Sequence, residues 1–390
     1  MTTETETNTR VAFVAIREDL LSALKLVAKA IPRQYALPIL RSFHFRVDGD
    51  GVIVTGTDLE LTVRAKIEAG ASVESYGAFT VGAKEFLASI TATPKRDYVT
   101  VAATDGRVEV TSTVGTVTLI ATPVDDYPVS LTDAGKRVMI SASELKKASE
   151  AVVTAASADQ TRPILTAVKV EEGKNGVVMV TTDTYRLHVS PIDFPTDVLI
   201  PARVFAVANL IAPDAVEIGP RQAMFINETT RNQVAVRLIE GTFPNWKNLL
   251  PTNEPVLTVT IDNDKKPFVE WLRWLEKSFS TKSKRTSRYG NTQRHTTPVR
   301  LDFSTIGFQA KFKQQDVVDL TRFFDAKVEA TETTEAIAQY GFTPVFLADL
   351  LDSFPATVRI RLWSPTKPIL ADDADNLDPD RLALLMPVRI

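Results

Sequence analysis

Three stretches of the chain repeat the same order of elements, and this long repeat constrains the fold more than any other feature. Each stretch begins with a predicted amphipathic helix, at 17–31, 143–156 and 264–279. A shorter helix follows in each stretch, at 81–90, 200–211 and 342–354. Alternating apolar and polar residues with turn-forming Gly, Asp and Asn come next, which predicts antiparallel hairpins. A unit of roughly 120 residues is too long for a solenoid repeat and indicates three similar α+β domains.

The repeat also predicts where the domains begin and end. We expect domains at 10–133, 134–253 and 254–390, preceded by a polar, acidic tail at 1–9 that is predicted to be disordered. The third domain carries a basic insertion at 277–295 that lengthens the distance between its two helices.

Composition excludes several classes of function. The chain contains no cysteine, which removes disulfides, thiol nucleophiles and cysteine-based metal sites. The most obvious candidate carboxylate pairs, Asp125–Asp126 and Asp372–Asp373, are neighbours among residues that favour loops, and adjacent strand residues point to opposite faces. We therefore expect no catalytic residue, no metal and no cofactor. Without a signal peptide or an apolar run of membrane length, we expect a cytoplasmic protein that does not contact membranes.

The distribution of positive charge is more informative than the net charge of −3. In each first helix, Lys or Arg lies opposite the apolar stripe, for example Lys25 and Lys29 opposite Leu20 and Leu24. If three such helices surround an opening, they line it with charge that attracts DNA phosphates without recognising sequence. The residues predicted to contact DNA are Lys25, Lys29, Arg33, Lys84, Lys147, Arg203, Arg273 and Lys277. The alternative interpretation is that these cations only solvate exposed helix faces.

The insertion at 277–295 is strongly basic. It contains six Lys or Arg residues and no acidic residue. One hypothesis is an accessory contact with DNA phosphates, and the alternative is a mobile, solvated loop without a dedicated role.

Five segments resemble the bacterial DNA polymerase III beta subunits, the sliding clamps, in the family's order and at comparable spacing. They are ALPILRSFHFRV (36–47), GTDLELTVRAKI (56–67), TTDTYRLHV (181–189), EGTFPNWKNLLP (240–251) and LLMPVRI (384–390). The resemblance implies three clamp domains per subunit, with antiparallel sheets outside and two helices each inside, in a head-to-tail homodimeric ring. Such a ring is a non-catalytic processivity factor for DNA replication that encircles double-stranded DNA.

The resemblance also implies a peptide-binding pocket between the second and third domains. Its expected partners are the DNA polymerase III alpha subunit, the clamp loader and other proteins with a clamp-binding motif. The matching residues are Arg162, Leu165, Thr182, Thr184, Tyr185, Arg186, Leu187, Pro244, Leu249, Phe346, Leu384, Met386, Pro387, Val388, Arg389 and Ile390. We expect Leu165, Leu187, Leu249 and Met386 to form an apolar floor. Alternatively, Asp183 and Arg186 form only a hairpin salt bridge, and 384–390 is only a terminal strand.

The chain departs from the family pattern at several of these positions. Thr184 and Tyr185 stand where the family usually has Gly and His, and Val388 and Ile390 replace the commoner Met and Leu. Two other functions stay open: an auxiliary clamp of phage or plasmid type, and a β-rich scaffold that binds partners without encircling DNA. Dimerisation and dependence on a clamp loader discriminate the scaffold from a clamp.

Overall fold

A computed structural model describes most of the chain. The described residues are 10–32, 37–67, 72–104, 106–128, 135–262, 265–286, 292–295, 297–314, 318–330, 339–375 and 379–390, with the backbone alone described for 281–286 and 292–295. The predicted tail at 1–9, Arg33 and part of the basic insertion lie outside these residues.

The described residues form six α-helices and 28 strands, numbered in chain order. The helices are α1 (Arg17–Val27), α2 (Ala83–Ala92), α3 (Ala142–Val152), α4 (Phe205–Ala208), α5 (Lys266–Phe279) and α6 (Pro344–Asp352). The strands of the first half are β1 (Val11–Ile16), β2 (Ser42–Asp48), β3 (Gly51–Thr57), β4 (Leu61–Lys66), β5 (Ser72–Ser75), β6 (Gly77–Gly82), β7 (Tyr98–Thr104), β8 (Arg107–Ser112), β9 (Gly115–Thr122), β10 (Lys136–Met139), β11 (Ala167–Glu172), β12 (Val177–Thr182), β13 (Arg186–Pro191) and β14 (Val198–Pro201). Those of the second half are β15 (Ala215–Ile218), β16 (Gln222–Ile226), β17 (Gln233–Arg237), β18 (Leu257–Ile261), β19 (Thr281–Thr286), β20 (Thr292–His295), β21 (Val299–Ser304), β22 (Gly307–Gln314), β23 (Val318–Asp325), β24 (Lys327–Ala330), β25 (Tyr340–Phe342), β26 (Val358–Leu362), β27 (Ile369–Asp373) and β28 (Leu382–Leu385).

The chain divides into two compact units, residues 1–142 with 203–238, and residues 143–202 with 239–390. Both units contain part of the predicted central domain at 134–253. The three domain boundaries therefore stay a prediction.

The first unit is built on one 13-stranded sheet. Its strand order is β10-β15-β16-β17-β4-β3-β2-β6-β9-β8-β7-β1-β5. Antiparallel pairing of β17 with β4 joins strands that are far apart in the sequence. The core contains Phe13, Phe43, Phe45, Phe79 and Phe86, with Phe45 and Phe79 stacked at 4.7 Å between ring centroids.

The second unit contains three sheets. A nine-stranded sheet has the order β14-β11-β12-β13-β28-β27-β26-β18-β24, a four-stranded sheet has the order β23-β22-β21-β25, and β19 pairs with β20. Pairing of β13 with β28 brings the end of the chain beside the β12–β13 turn. This pairing positions the candidate functional site.

The predicted helices at 17–31, 81–90, 143–156, 264–279 and 342–354 form, with ends that differ from the prediction by at most four residues. Leu20, Leu24 and Val27 of α1 are buried as the apolar stripe predicts, and Glu18 and Asp19 lie in the first turn, where carboxylates favour the helix dipole. The prediction at 200–211 was wrong in detail, since only the four residues of α4 are α-helical there. The flanking turns are 3₁₀.

The basic insertion contains regular structure. Its described backbone at 281–286 and 292–295 pairs as an antiparallel hairpin after α5. This pairing does not decide between an accessory DNA contact and a solvated loop without a dedicated role. The insertion's contact with DNA stays a prediction.

Candidate functional site

All residues predicted to bind a peptide lie in the second unit, where a tight turn joins β12 to β13. The Asp183 carboxylate accepts hydrogen bonds from the backbone N–H groups of Tyr185 (2.9 Å) and Arg186 (3.0 Å). The Thr182 hydroxyl donates to the Arg186 carbonyl oxygen (2.8 Å) and accepts from the Thr184 N–H (3.1 Å). Because these side chains satisfy the turn's backbone groups, they fix its geometry.

The tip of this turn is strained. Thr184 has a φ of +80°, in the left-handed region that favours glycine. A β-branched residue there costs roughly 1–2 kcal/mol. The side-chain bonds of Thr182 and Asp183 hold the turn in this conformation despite that cost.

The Arg186 guanidinium connects the turn to α6 and to the end of α3. It pairs with Asp183 at 3.0 Å and with Asp349, and it donates to the Thr154 carbonyl oxygen. Its carbon Cζ lies 4.1 Å from the ring centroid of Phe346. The predicted Asp183–Arg186 salt bridge is confirmed. With only 9% of its side chain exposed, Arg186 has few donors left for a peptide and mainly positions the turn.

The last residues of the chain extend beyond β28 along the same turn. The Met386 N–H donates to the Tyr185 carbonyl oxygen at 2.8 Å, and the Val388 N–H donates to the Gly341 carbonyl oxygen at 2.9 Å. A Cβ atom on Gly341 would lie 2.4 Å from Cγ2 of Ile390, so the Ile390 side chain closely approaches the Gly341 backbone. The terminal segment is therefore a strand only up to Leu385.

The predicted apolar floor divides into buried and accessible residues. Leu187 and Leu384 are 2% and 4% exposed and belong to a small core with Trp246, and Leu165 is also buried. Leu165 and Leu187 are largely covered by neighbouring strands and side chains, and their contact with a peptide stays a prediction. The accessible apolar residues are Tyr185, Leu249, Met386 and Ile390, of which Tyr185, Leu249 and Ile390 are more than half exposed.

Two further segments border this surface. Pro244 and Leu249 are exposed, with Leu249 in the short 3₁₀ helix Trp246–Leu249 that buried Trp246 anchors by donating to Glu171 at 2.9 Å. Arg162 is half-exposed and pairs with Asp159 at 3.2 Å. Sequence reasoning missed Trp246, Asp349 and Thr154, although Trp246 stands within the FPNW segment already singled out.

A fully buried histidine lies in β13, two residues after the turn. Nδ1 of His188 lies 2.9 Å from the Ala151 carbonyl oxygen. Burial is the main cause that lowers the pKa of His188 from 6.5 to about 4. The imidazole is therefore neutral near pH 7 and donates from Nδ1 to that carbonyl.

Most of the cations predicted to contact DNA are exposed. They are Lys25, Lys29, Lys84, Lys147 and Lys277. Arg203 is also exposed, but it pairs with Asp58 (2.6 Å) and Glu60 (2.9 Å). Arg33 lies outside the described residues.

Arg273 was predicted opposite the apolar stripe of its helix, and its side chain is 37% exposed there, so its contact with DNA stays a prediction. Arg273 turns towards α6 and pairs with Asp349 (2.6 Å) and Asp352 (2.9 Å), because α6 packs beside α5 and supplies both carboxylates. Its charge is therefore largely offset within the unit.

The paired carboxylates lie in different settings. Asp372 and Asp373 lie in β27 and not in a loop, and Asp372 pairs with Arg359 at 2.8 Å and with Arg361. Asp125 and Asp126 lie in a turn. The described residues contain no group of three or more His, Asp or Glu side chains arranged to hold a metal ion. No described helix has the length and apolar character needed to span a bilayer.

Family comparison decides the identity of the chain. The N-terminal domain model of the DNA polymerase III beta subunit matches residues 11–132, and the central domain model matches residues 139–245. Together these matches cover more than half of the chain. The chain belongs to the DNA polymerase III beta subunit family.

Curated relatives and solved structures agree with this family. The beta sliding clamp of Streptomyces coelicolor is 26% identical over 395 residues, covering 96% of this chain and 98% of that protein. The beta sliding clamp of Haemophilus influenzae is 28% identical over 254 residues, covering 62% and 68%. The crystal structure of the Bacillus subtilis sliding clamp superimposes with a TM-score of 0.82 at 20% identity, covering 98% of this chain and all of that one. The fold is therefore the α+β sliding-clamp fold, with antiparallel sheets and few helices.

The structure explains one departure from the family pattern. The positive φ at Thr184 accounts for the usual glycine at this position, since glycine adopts it without strain. In this beta subunit the Thr182 and Asp183 bonds maintain the turn without that glycine. Tyr185 next to it presents a larger apolar surface than the usual histidine.

Proposed function

We propose that this protein is a DNA sliding clamp, a processivity factor that tethers the replicative DNA polymerase to duplex DNA. The observation that carries the proposal is the match of two beta-subunit domain models over 11–132 and 139–245, on a chain whose fold is that of solved clamps over almost its whole length. In this role the protein needs no catalytic residue and works in the cytoplasm, where the chromosome is replicated.

The functional form is a ring of two subunits joined head to tail. Each subunit contributes three domains, at 10–133, 134–253 and 254–390. Head-to-tail contacts that close after two copies give a ring and not a filament. A closed ring stays on DNA by topology, so its individual contacts with phosphates stay weak enough for sliding.

Exposed lysines provide those weak contacts. Lys25, Lys29, Lys84, Lys147 and Lys277 attract DNA phosphates without recognising bases. Arg203 and Arg273 contribute less, because nearby carboxylates offset their charge.

The surface around the β12–β13 turn binds partners. Tyr185, Leu249, Met386 and Ile390 offer accessible apolar area, and the half-exposed Arg162 offers polar donors at its edge. Such a surface suits a short peptide with an apolar anchor. The partners are the DNA polymerase III alpha subunit, the clamp loader and other proteins that carry a clamp-binding motif.

Retention on DNA tests the proposed ring. The protein, loaded with a clamp loader, is placed on nicked circular DNA and on the same DNA after linearisation. We expect retention on the circle and rapid loss from the linear form, since a ring leaves only over an end. Equal retention on both forms contradicts the ring and favours a scaffold that binds DNA, if at all, by ordinary contacts.

Peptide affinity tests the binding surface separately. Deletion of residues 386–390 should abolish binding of a clamp-motif peptide in fluorescence anisotropy, and Met386→Ala should weaken it roughly tenfold by removing one apolar anchor. Ile306→Ala is the matched control, because Ile306 is an exposed apolar residue of the same unit. Dimerisation, measured by analytical ultracentrifugation, should not change. Unaltered peptide affinity in both variants contradicts this surface.

A further inference from the structure

A cationic pocket lies on one face of the large sheet in the first unit. His44, Thr55, Arg64 and Gln233 stand in register across β2, β3, β4 and β17. Because strand residues alternate between faces, these four share the face opposite Phe43 and the apolar core. The pocket has a volume of about 170 Å³ and is lined by His44, Arg46, Asp50, Ile53, Thr55, Arg64, Lys66, Tyr127, Arg231 and Gln233.

The charges in this pocket do not balance. Arg46 pairs with Asp48 at 2.8 Å, and Arg231 lies 3.6 Å from the exposed Asp50. Arg64 and Lys66 have no carboxylate within ion-pair distance among the residues described in the structure. Four cations therefore share two carboxylates, which leaves an excess of two positive charges.

Arg64 is the least compensated of these groups. It is only partly exposed, and its pKa is lowered by burial and by the nearby positive charge of Arg46. A half-buried guanidinium beside another cation is unfavourable unless an anion is supplied from outside. The Arg64 side chain therefore destabilises the empty pocket and favours an occupied one.

The floor of the pocket contains neutral hydrogen-bonding groups. Burial and the charges of Arg64 and Arg46 lower the pKa of His44, so its imidazole is neutral near pH 7. Tyr127 stacks on this imidazole with 5.0 Å between ring centroids, and its hydroxyl donates to the Thr55 carbonyl oxygen at 3.3 Å. These contacts hold the imidazole ring rigidly below the guanidinium groups.

We propose that this pocket binds a phosphate-like oxyanion. Its volume of about 170 Å³ is enough for one tetrahedral oxyanion with some ordered water. The guanidinium groups of Arg46, Arg64 and Arg231 offer the forked donors that suit phosphate oxygens. The pocket uses neither the peptide-binding surface nor the lysines assigned to DNA, and is independent of the proposed function.

The oxyanion has two sources that the chemistry alone does not separate: free inorganic phosphate, and the phosphoryl group of a nucleotide or of pyrophosphate. Inorganic phosphate, pyrophosphate and a nucleoside monophosphate are therefore compared as probes. Tighter binding of the nucleoside monophosphate than of phosphate indicates a nucleotide, and similar affinity for these two indicates the bare oxyanion.

The experiment measures the melting temperature of the full chain and the heat of binding by isothermal titration calorimetry. Sodium phosphate should raise the melting temperature saturably, whereas sodium chloride at equal ionic strength should not. Arg64→Gln should weaken phosphate binding roughly ten- to a hundredfold by removing a charged hydrogen bond. Lys66→Gln should weaken it by a smaller factor.

Two controls keep the test decisive. Lys136→Gln removes an exposed cation from β10 of the same sheet and should leave phosphate binding unchanged.

Without phosphate, Arg64→Gln should melt at the same or a higher temperature than the parent, because it removes an unpaired charge. Equal effects of phosphate and chloride, or parental phosphate affinity in Arg64→Gln, overturn the proposal. If Arg64→Gln loses binding to double-stranded DNA but keeps its affinity for phosphate, the proposal is also overturned. The positive charge of Arg64 then serves to bind DNA.

Discussion

Two hairpins of the molecule, Thr57–Leu61 in the first unit and Thr182–Arg186 in the second, have the same turn and different surroundings. In the first hairpin, Thr57 donates to the Leu61 carbonyl oxygen (3.1 Å) and accepts from the Leu59 N–H (3.0 Å), and Asp58 accepts from two N–H groups. Thr182 and Asp183 make the corresponding bonds. The tips also agree, with φ values of +76° at Leu59 and +80° at Thr184.

The two hairpins differ in the residues that fasten them to their units. Leu61 is a buried apolar residue, whereas the corresponding Arg186 binds two carboxylates, a carbonyl oxygen and an aromatic ring. Two positions further along, buried Val63 corresponds to buried His188. The first hairpin is held by apolar burial and by the exposed ion pairs of Arg203 with Asp58 and Glu60, and the second by a buried polar network.

The turn itself therefore does not account for the peptide binding that is proposed at the second hairpin. The Thr-Asp side chains specify the turn wherever they occur. Accessible apolar residues and a polar network surround the second hairpin, at the surface proposed to bind peptides. Exchanging residues between the two hairpins therefore separates what folds the turn from what positions the site.

The largest expected effect on stability comes from replacing Arg186 of the second hairpin with leucine, the residue at the corresponding position of the first hairpin. Arg186→Leu leaves Asp183 and Asp349 without this cation in a buried setting, and should lower the free energy of unfolding by about 3–5 kcal/mol. Urea unfolding followed by circular dichroism measures this loss. Arg203→Ala is the matched control, since its ion pairs are exposed and should contribute at most about 1 kcal/mol.

A double variant sharpens the same comparison. Arg186→Leu with Asp349→Leu removes both partners and should recover part of the stability, because apolar residues often replace a buried ion pair without loss. Recovery is expected to be incomplete, since Arg273 also pairs with Asp349. A double variant that is less stable than Arg186→Leu would contradict the view that unpaired charge causes the loss.

The sequence predicted the local elements that recur along the chain better than the long-range contacts in which the two hairpins differ. The helices follow from periodicity, which neighbouring residues determine, and the five family segments follow from resemblance to a known family. Arg186 instead meets Asp349, 163 positions later, and only the placement of α6 beside the hairpin brings the two together. A local pattern carries no information about such a pair.

The same limit applies to Arg273 and Leu187. A helical projection locates the side of α5 opposite its apolar stripe, but it does not reveal that α6 supplies Asp349 and Asp352 to Arg273. Leu187 matches the family pocket in sequence, yet the surrounding core of Trp246 and Leu384 covers it. Accessibility depends on packing between distant segments, which sequence similarity does not report.

A second, smaller effect distinguishes the hairpins by pH. The folded pKa of His188 is about 4 and the ordinary value is 6.5, so between these values the unfolded chain binds a proton that the folded chain does not. Stability is therefore full above pH 6.5, falls by up to about 3 kcal/mol as the pH decreases to 4, and changes no further from this group below that.

Replacement of His188 tests this origin of the pH dependence. His188→Val, the residue of the first hairpin, should lose stability at pH 7 through the missing hydrogen bond and should show a flatter decline towards pH 4. Urea unfolding at several pH values measures the slope. An unchanged slope in His188→Val would assign the pH dependence to other groups.

The smallest expected effect treats both hairpins alike. Thr184→Gly and Leu59→Gly each relieve a positive φ, and each should raise the free energy of unfolding by roughly 1 kcal/mol, reduced by the greater entropy of glycine in the unfolded chain. Arg96→Gly, at a third position with positive φ (+61°) outside the hairpins, should give a similar gain if the positive φ is the cause. Equal gains in the free energy of unfolding at Leu59 and Thr184 indicate that the two turns are equally strained. The hairpins then differ only in the residues around the turns. A gain in stability at Leu59 alone would mean that the polar network of the second hairpin already relieves the strain at Thr184. The two turns would then differ in their backbones as well as in their surroundings.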